Sequence, residues 1–243
     1  MEKKRIDFLN YPVDNLTSEE LLRVIDDAIR ENQKMQIVPM NANKIYRVRE
    51  DELLSKILRE SELIIPEYAV VWGSKIIGSP LVEHVGGVML MRSLLEESTN
   101  HDFRFYFLGA RQEIVEAMVE KVAMDYPGIQ IAGWRNGYFD DYDKIIDEVN
   151  ATDANILLAA LGTPKQEYFL YENKTRLKPN IMMGVGGSFD VFAGLRQETP
   201  AYLRHGFEWI YRLVQDPGNL WKRYMTTNPY FVFRVLRYRV FGR

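Results

Sequence analysis

Glu67 is the residue that most needs a chemical explanation. In the stretch SELIIPEYAVVWG it follows the apolar run Leu63-Ile64-Ile65-Pro66, and apolar residues resume after it. A short apolar run ending in proline reads as a buried strand, so the carboxylate stands at the mouth of that strand. A carboxylate placed there can take a proton from an attacking hydroxyl. It can equally begin the next helix, where the dipole favours negative charge. The residues alone leave both readings open.

Three further segments share one grammar of strand, glycine and helix start: FLGARQE (Phe107 to Glu113), LGTPKQE (Leu161 to Glu167) and GVGGSFDVFAG (Gly184 to Gly194). Glycine admits a ligand close to the backbone, and the start of a helix favours phosphate. βα turns need glycine anyway, so the argument for a nucleotide or diphosphate site rests on the three together. In TPKQE, Pro164 suits a first helical turn. Lys165 and Gln166 then stand where a cation and a hydrogen-bond donor can reach a ligand. The alternative is a solvated helix start. Asp190, after a strand and a glycine pair, either faces the same site or serves as an N-terminal helix charge. There is no Walker A motif, and Gly184 to Phe189 is not G-x-G-x-x-G.

The elements that must position these residues follow from the alternation of short apolar runs with amphipathic segments. Arg5 to Leu9, Met35 to Met40, Leu63 to Pro66, Arg104 to Gly109, Ile129 to Trp134, Asn155 to Gly162 and Asn180 to Gly187 read as strands. Thr17-Ser18-Glu19-Glu20 reads as a capping box opening a helix through about Glu31. Asn41 to Val48 begins a second helix, Arg111 to Tyr126 forms a third, and Pro164 opens a fourth. The expected fold is α/β: a Rossmann-like, mainly parallel sheet with helices on both faces. Ligands of such sheets sit beyond the carboxyl ends of the strands, where Asn41, Glu67, Gly109, Gly162 and Gly186 fall.

The chain has 243 residues, no cysteine and three histidines, which excludes disulfides, thiolate metal sites and a His-rich centre. An Asp/Glu-bound Mg²⁺ stays open on composition, and no organic cofactor is expected. The first residues contain basic side chains but no long apolar segment, and no apolar stretch approaches the roughly 18 residues of a spanning helix. A soluble or peripheral intracellular protein is the expectation. Composition shifts near Gly194, dividing an α/β core (1–195) from an aromatic, basic appendage (196–243). From Arg204 onward eight basic residues face two acids, about +6, which leaves about −9 for the rest of a chain of net charge −3. The tail therefore expects an anionic partner. Its mixture of Trp, Tyr, Phe and Arg fits an interfacial membrane segment. It also fits a nucleic-acid surface, or a helix docked on the core.

GYF (Gly137 to Phe139), LGTPKQE, GVGGSFDVFAG, EWIYRL (Glu208 to Leu213) and WKRY (Trp221 to Tyr224) occur in that order. Together they resemble the WecG/TagA/CpsF glycosyltransferases, family 26, over nearly the whole chain. That resemblance implies an inverting, metal-independent transferase on a Rossmann-like core. It would move a sugar from a UDP-sugar to a lipid-diphosphate-linked sugar, in cell-surface polysaccharide or teichoic-acid-type assembly. It implies a cytoplasmic protein, peripheral on the inner face of the cell membrane, whose basic appendage docks there and completes the active site. A homo-oligomer is compatible with it.

The chain departs from the family pattern near the sugar. Glu67-Tyr68 stands where the family has Asp-Gly, whose aspartate is the proposed base. Pro39-Met40-Asn41 replaces Thr-x-Asn, His84 replaces an arginine, Met89 an aspartate, and Glu198-Thr199-Pro200 an Arg-Ala-Pro. Carried across, Glu67 becomes the base, and Asn41 orients it or the sugar. His84 and Gln166 lie near the diphosphate. Gly109, Gly137, Tyr138, Gly162, Lys165, Gly186 and Asp190 shape the UDP pocket. Arg212, Arg223 and Arg234 hold lipid diphosphate or headgroups. Three competing classes stand beside this reading. A non-catalytic scaffold that binds UDP-sugar or lipid follows if the departures abolished catalysis. A nicotinamide oxidoreductase lacks its glycine fingerprint. A nucleic-acid binder fits poorly with the acidic core, so no nucleic-acid partner is expected.

Overall fold

The computed structural model describes residues 4–197 and 208–242. The chain opens with an antiparallel hairpin of β1 (Arg5–Phe8) and β2 (Tyr11–Asp14). Arg5–Leu9, expected as a strand, thus pairs locally and lies outside the main sheet. Leu9 and Asn10, both at positive φ, make the turn. Buried Asp14 binds Arg5 and accepts the Ile64 amide at 2.7 Å, fastening the hairpin to an edge strand.

The first half continues through α1 (Ser18–Arg30), β3 (Met35–Met40), α2 (Ala42–Arg47), α3 (Glu52–Glu60), β4 (Leu63–Pro66), α4 (Tyr68–Ile77) and α5 (Gly87–Glu96). The second half runs β5 (Arg104–Gly109), α6 (Gln112–Asp125), β6 (Gln130–Arg135), α7 (Tyr142–Asn150), β7 (Ile156–Ala160), α8 (Lys165–Asn173), β8 (Ile181–Gly184) and α9 (Ser188–Phe192). Two helices follow, α10 (Glu208–Gln215) and α11 (Pro217–Phe241). The expected capping box opens α1: Thr17 accepts the Glu20 amide, and the Glu20 side chain accepts that of Thr17.

β3 to β8 form one parallel sheet in the order β4-β3-β8-β7-β5-β6. Its central strands are mostly apolar because both faces are covered, with buried Gln36 of β3 an exception. Alternate side chains divide between the layers: Ile37, Phe105, Phe107, Leu158 and Met183 meet α1, α5, α6 and α9. Val38 and Ile64 pack with the hairpin, α4 and α11. Tyr106, Leu157 and Met182 pack with α7 and α8. β3 and β8 pair only as far as Ile37 and Met183. Pro39, which has no N–H to donate, lies past that point.

α11 lies against α2 and α4 and buries Leu220, Tyr224, Thr227, Phe231 and Val235, a stripe at helical spacing. Val235 meets Gly73, and Arg239 meets Gly78, so α11 runs alongside α4 in the same sense. Its first turns therefore reach past the start of α4, toward the carboxyl edge of the sheet.

Candidate active site

The carboxyl ends of β3 and β4 are register partners, Met40 with Pro66, so Asn41 and Glu67 stand side by side. Both are N-caps, yet their side chains behave differently. Asn41 accepts the Lys44 amide at 3.0 Å and caps α2. Glu67 has N-cap backbone angles, but its carboxylate accepts no helix amide. Its backbone N–H donates to the Met40 carbonyl at 2.9 Å, which fixes the strand end while leaving the carboxylate out of the cap. Of the two readings of Glu67, capping belongs to the backbone alone.

The loop before α5 closes over this carboxylate. The Val85 amide donates to the Pro66 carbonyl at 3.1 Å. A Cβ at Gly86 would lie 2.9 Å from His84 Nε2 and 3.6 Å from Glu67 Cγ, so both side chains flank that glycine. The Tyr68 ring meets the His84 imidazole edge-on at 5.6 Å. Glu67, Tyr68 and His84, three of the positions that depart from the family pattern, thus form one cluster.

The glycine loops line the rest of the edge. The chain leaves β5 for β6 and β7 for β8, in opposite directions, so the crevice of such a sheet opens between Gly109 and Gly162. Gly109, at φ 135°, passes so close to β7 that a Cβ would lie 2.5 Å from the Ala160 carbonyl carbon. Gly137 packs on Gly109, and its amide donates to the Ala110 carbonyl. The amides of Gly162 and Gly186 both donate to Gln166 Oε1, at 3.2 and 3.1 Å. The amides of Gly137, Gly162 and Gly186 are thus used within the chain, and those glycines supply room and shape.

The remaining expected residues are spread around this edge. Gln166 is buried, and its Nε2 donates to Glu167 Oε1 at 2.9 Å. Lys165 is exposed, with its ammonium 5.2 Å from the centre of the Phe139 ring. It also lines a cavity of about 230 Å³ with Tyr142, Tyr168 and Phe169. Tyr138 projects into solvent. Asp190 is half-buried in the first turn of α9. Arg223 is exposed over the Tyr224 ring, and Arg234 is half-buried, its Nε lacking a hydrogen-bond partner among the described residues. Glu198, Thr199, Pro200, Arg204 and the side chain of Arg212 lie outside the described residues. The candidates missing from the expected set are Lys44 and Glu167, buried beneath Gln166 and joined at 3.1 Å. Glu167 was visible as the last residue of TPKQE; nothing near Lys44 announced it.

A parallel α/β sheet with a carboxylate and an imidazole at one strand mouth, and glycine loops along the same edge, can host a transfer reaction beyond the strand ends. The profile of the glycosyl transferase WecG/TagA/CpsF family matches residues 6–243. The chain is 32% identical over 240 residues to an N-acetylglucosaminyldiphosphoundecaprenol N-acetyl-beta-D-mannosaminyltransferase of Bacillus spizizenii, covering 98% of this chain and 92% of that one. Proteins of the same name from Bacillus subtilis strain 168 and Staphylococcus aureus strain MW2 are 29% and 28% identical, over 83% and 96% of this chain and 78% and 92% of theirs. This chain belongs to the WecG/TagA/CpsF family and is a glycosyltransferase.

Proposed function

We propose that the chain transfers a sugar from a UDP-sugar to a sugar carried on a polyprenyl diphosphate, with inversion, at the membrane surface. The observation that carries this is Glu67: a carboxylate at a strand mouth, free of capping duty and beside His84. The names of the relatives support the acceptor class, an undecaprenyl-diphosphate-linked amino sugar, and make N-acetylmannosamine the first donor sugar to test.

In the reaction an acceptor hydroxyl attacks the anomeric carbon as the bond to the diphosphate oxygen breaks. Glu67 takes the hydroxyl proton, and UDP leaves with the bonding electrons. Charge then grows on the diphosphate and needs preorganised donors or cations. Because three glycine amides are used within the chain, that role falls to side chains: His84, Lys165 and the arginines of the tail. α11 supports this division, since its first turns reach toward the site edge while Arg223 stays exposed. Residues 196–243 act as the appendage that rests on the membrane. Among the described residues no helix is long and apolar enough to cross one. The exposed Trp221, Phe233, Leu236 and Phe241 suit a helix lying in the interface.

The test is UDP release from a panel of UDP-sugars, with and without a short-chain polyprenyl-diphosphate-linked N-acetylglucosamine. Acceptor-dependent release from one donor is the expected result. Silence across a panel that includes UDP-N-acetylmannosamine would overturn the donor class.

A further inference from the structure

Beneath the edge lies a buried charge pair that no step of the reaction uses. Lys44, on α2, and Glu167, on α8, are both about 2% exposed at the side chain. Glu167 Oε1 collects three donors: Lys44 Nζ at 3.1 Å, Gln166 Nε2 at 2.9 Å and Thr163 Oγ1 at 3.3 Å. The same ammonium donates to the Pro39 carbonyl at 2.8 Å, two residues before Asn41. Gln36 Nε2 donates to the Glu167 backbone carbonyl at 3.1 Å. Gln166 itself fills the space over Gly184, where a Cβ would come within 2.5 Å of its Nε2. The group sits in the wedge where β3 and β8 cease to pair.

This arrangement decides which way the Gln166 amide faces. A carboxylate held by an ammonium only accepts hydrogen bonds, so the amide nitrogen must turn toward Glu167. The amide oxygen must then turn toward Gly162 and Gly186, whose loops follow β7 and β8. Buried ion pairs are seldom the most stable way to fill a core, because desolvation offsets their attraction. Among the described residues, Glu167 Oε2 and the Gln36 side-chain oxygen Oε1 are buried without hydrogen-bond partners, which adds to that cost. What the pair supplies instead is direction.

The geometry points to Lys44 and Glu167 as positioning residues that fix the two glycine loops through Gln166. This rests on the proposed reading that those loops shape the donor site. The test is a folded double variant, Lys44→Met with Glu167→Met, since apolar replacement of a whole buried pair is often neutral for stability. Glu167→Gln, which can donate as well as accept and leaves the Lys44 charge buried without its partner, is the contrasting single variant. Amide exchange of Gly162 and Gly186 is followed by NMR, and acceptor-dependent UDP release is followed in parallel. The expected double variant melts near the wild-type temperature and exchanges both glycine amides at least about tenfold faster. Its kcat falls about tenfold or more, because small misplacements in a site cost rate steeply. Glu167→Gln alone melts below both wild type and the double variant, because the Lys44 ammonium is left without a counter-charge. A folded double variant with unchanged glycine exchange, or with kcat within about twofold of wild type, overturns the assignment. If the wild-type chain itself releases no UDP, the proposed reaction fails. The exchange rates alone then decide whether the pair holds the loops.

Discussion

Glu67→Gln separates chemistry from architecture because the side chain has no part in capping α4. Turnover is expected to fall about 10²–10⁴-fold, the usual contribution of a positioned base. The melting temperature is expected to change little, because Gln keeps the size of the half-buried side chain and no helix cap is lost. Asn41→Ala is the contrasting case. Its Oδ1 holds the Lys44 amide, so any lost rate arrives with about 1 kcal/mol of lost stability. Thermal melts run beside the rate assay check both. A Glu67→Gln enzyme as fast as wild type would move the base elsewhere, and His84 beside it would be next. At this scale the sequence showed which residue types stand at the strand ends, but not their partners. Glu67 was legible because a charge amid apolar runs is conspicuous. That Gln166 is buried and turned inward was not, since its environment is made partly by Gly186 on the loop after β8. The Lys44–Glu167 pair was hidden for the same reason, as it joins helices distant in sequence.

Several elements were legible from local signals, although α3 and α7, capped by Asp51 and Asp141, were passed over. Caps and apolar runs marked α1, α6 and the six parallel strands, and βα alternation marked their common direction. β2 was missed because Tyr11-Pro12-Val13-Asp14 carries turn residues, and only its pairing with β1 makes it a strand. The seat of α11 was also illegible, because its stripe meets partners from the hairpin, α2 and α4. The Phe8 and Phe231 rings lie 6.0 Å apart, and Tyr230 meets Tyr46 edge-on at 5.5 Å. At the far end the Tyr238 hydroxyl donates to Asp7 at 2.7 Å. That bond to Asp7, then burial, raises the tyrosine above its ordinary value of 10.0. A raised value in the folded state means the contribution is complete below pH 10 and is lost as pH climbs through the folded value. Melting temperature is therefore expected to fall with rising pH above 10 more steeply for the wild type than for Tyr238→Phe. Parallel slopes in circular-dichroism melts from pH 8 to about 11 would remove Tyr238 from the seat of α11.

Over the whole molecule, charge and apolar exposure are segregated. The core carries the acidic excess, and the tail carries about +6 together with its exposed aromatic side chains. The docked face of α11 holds it against the core through Tyr224, Phe231 and Val235, leaving another face outward with Met225, Val232, Phe233, Leu236 and Val240. Trp209 of α10 closes one side of that outward face, where a cavity of about 530 Å³ lies. One helix thus has two apolar faces, the pattern of an element that packs on protein and also meets something apolar. The basic residues beside it favour an anionic surface. Because Phe233 and Leu236 are 57% and 51% exposed, Phe233→Glu with Leu236→Glu should leave the fold intact. Sedimentation with vesicles containing phosphatidylglycerol is expected to show at least about tenfold weaker binding for this variant, since both buried apolar area and charge attraction are reduced. Wild-type binding should itself weaken with added salt, through screening of the arginines. Turnover on a water-soluble, short-chain acceptor should be spared, because neither residue faces the strand ends. Unchanged vesicle binding would move the proposed membrane contact off α11. Lost turnover on the soluble acceptor would instead make the outward face part of the acceptor site.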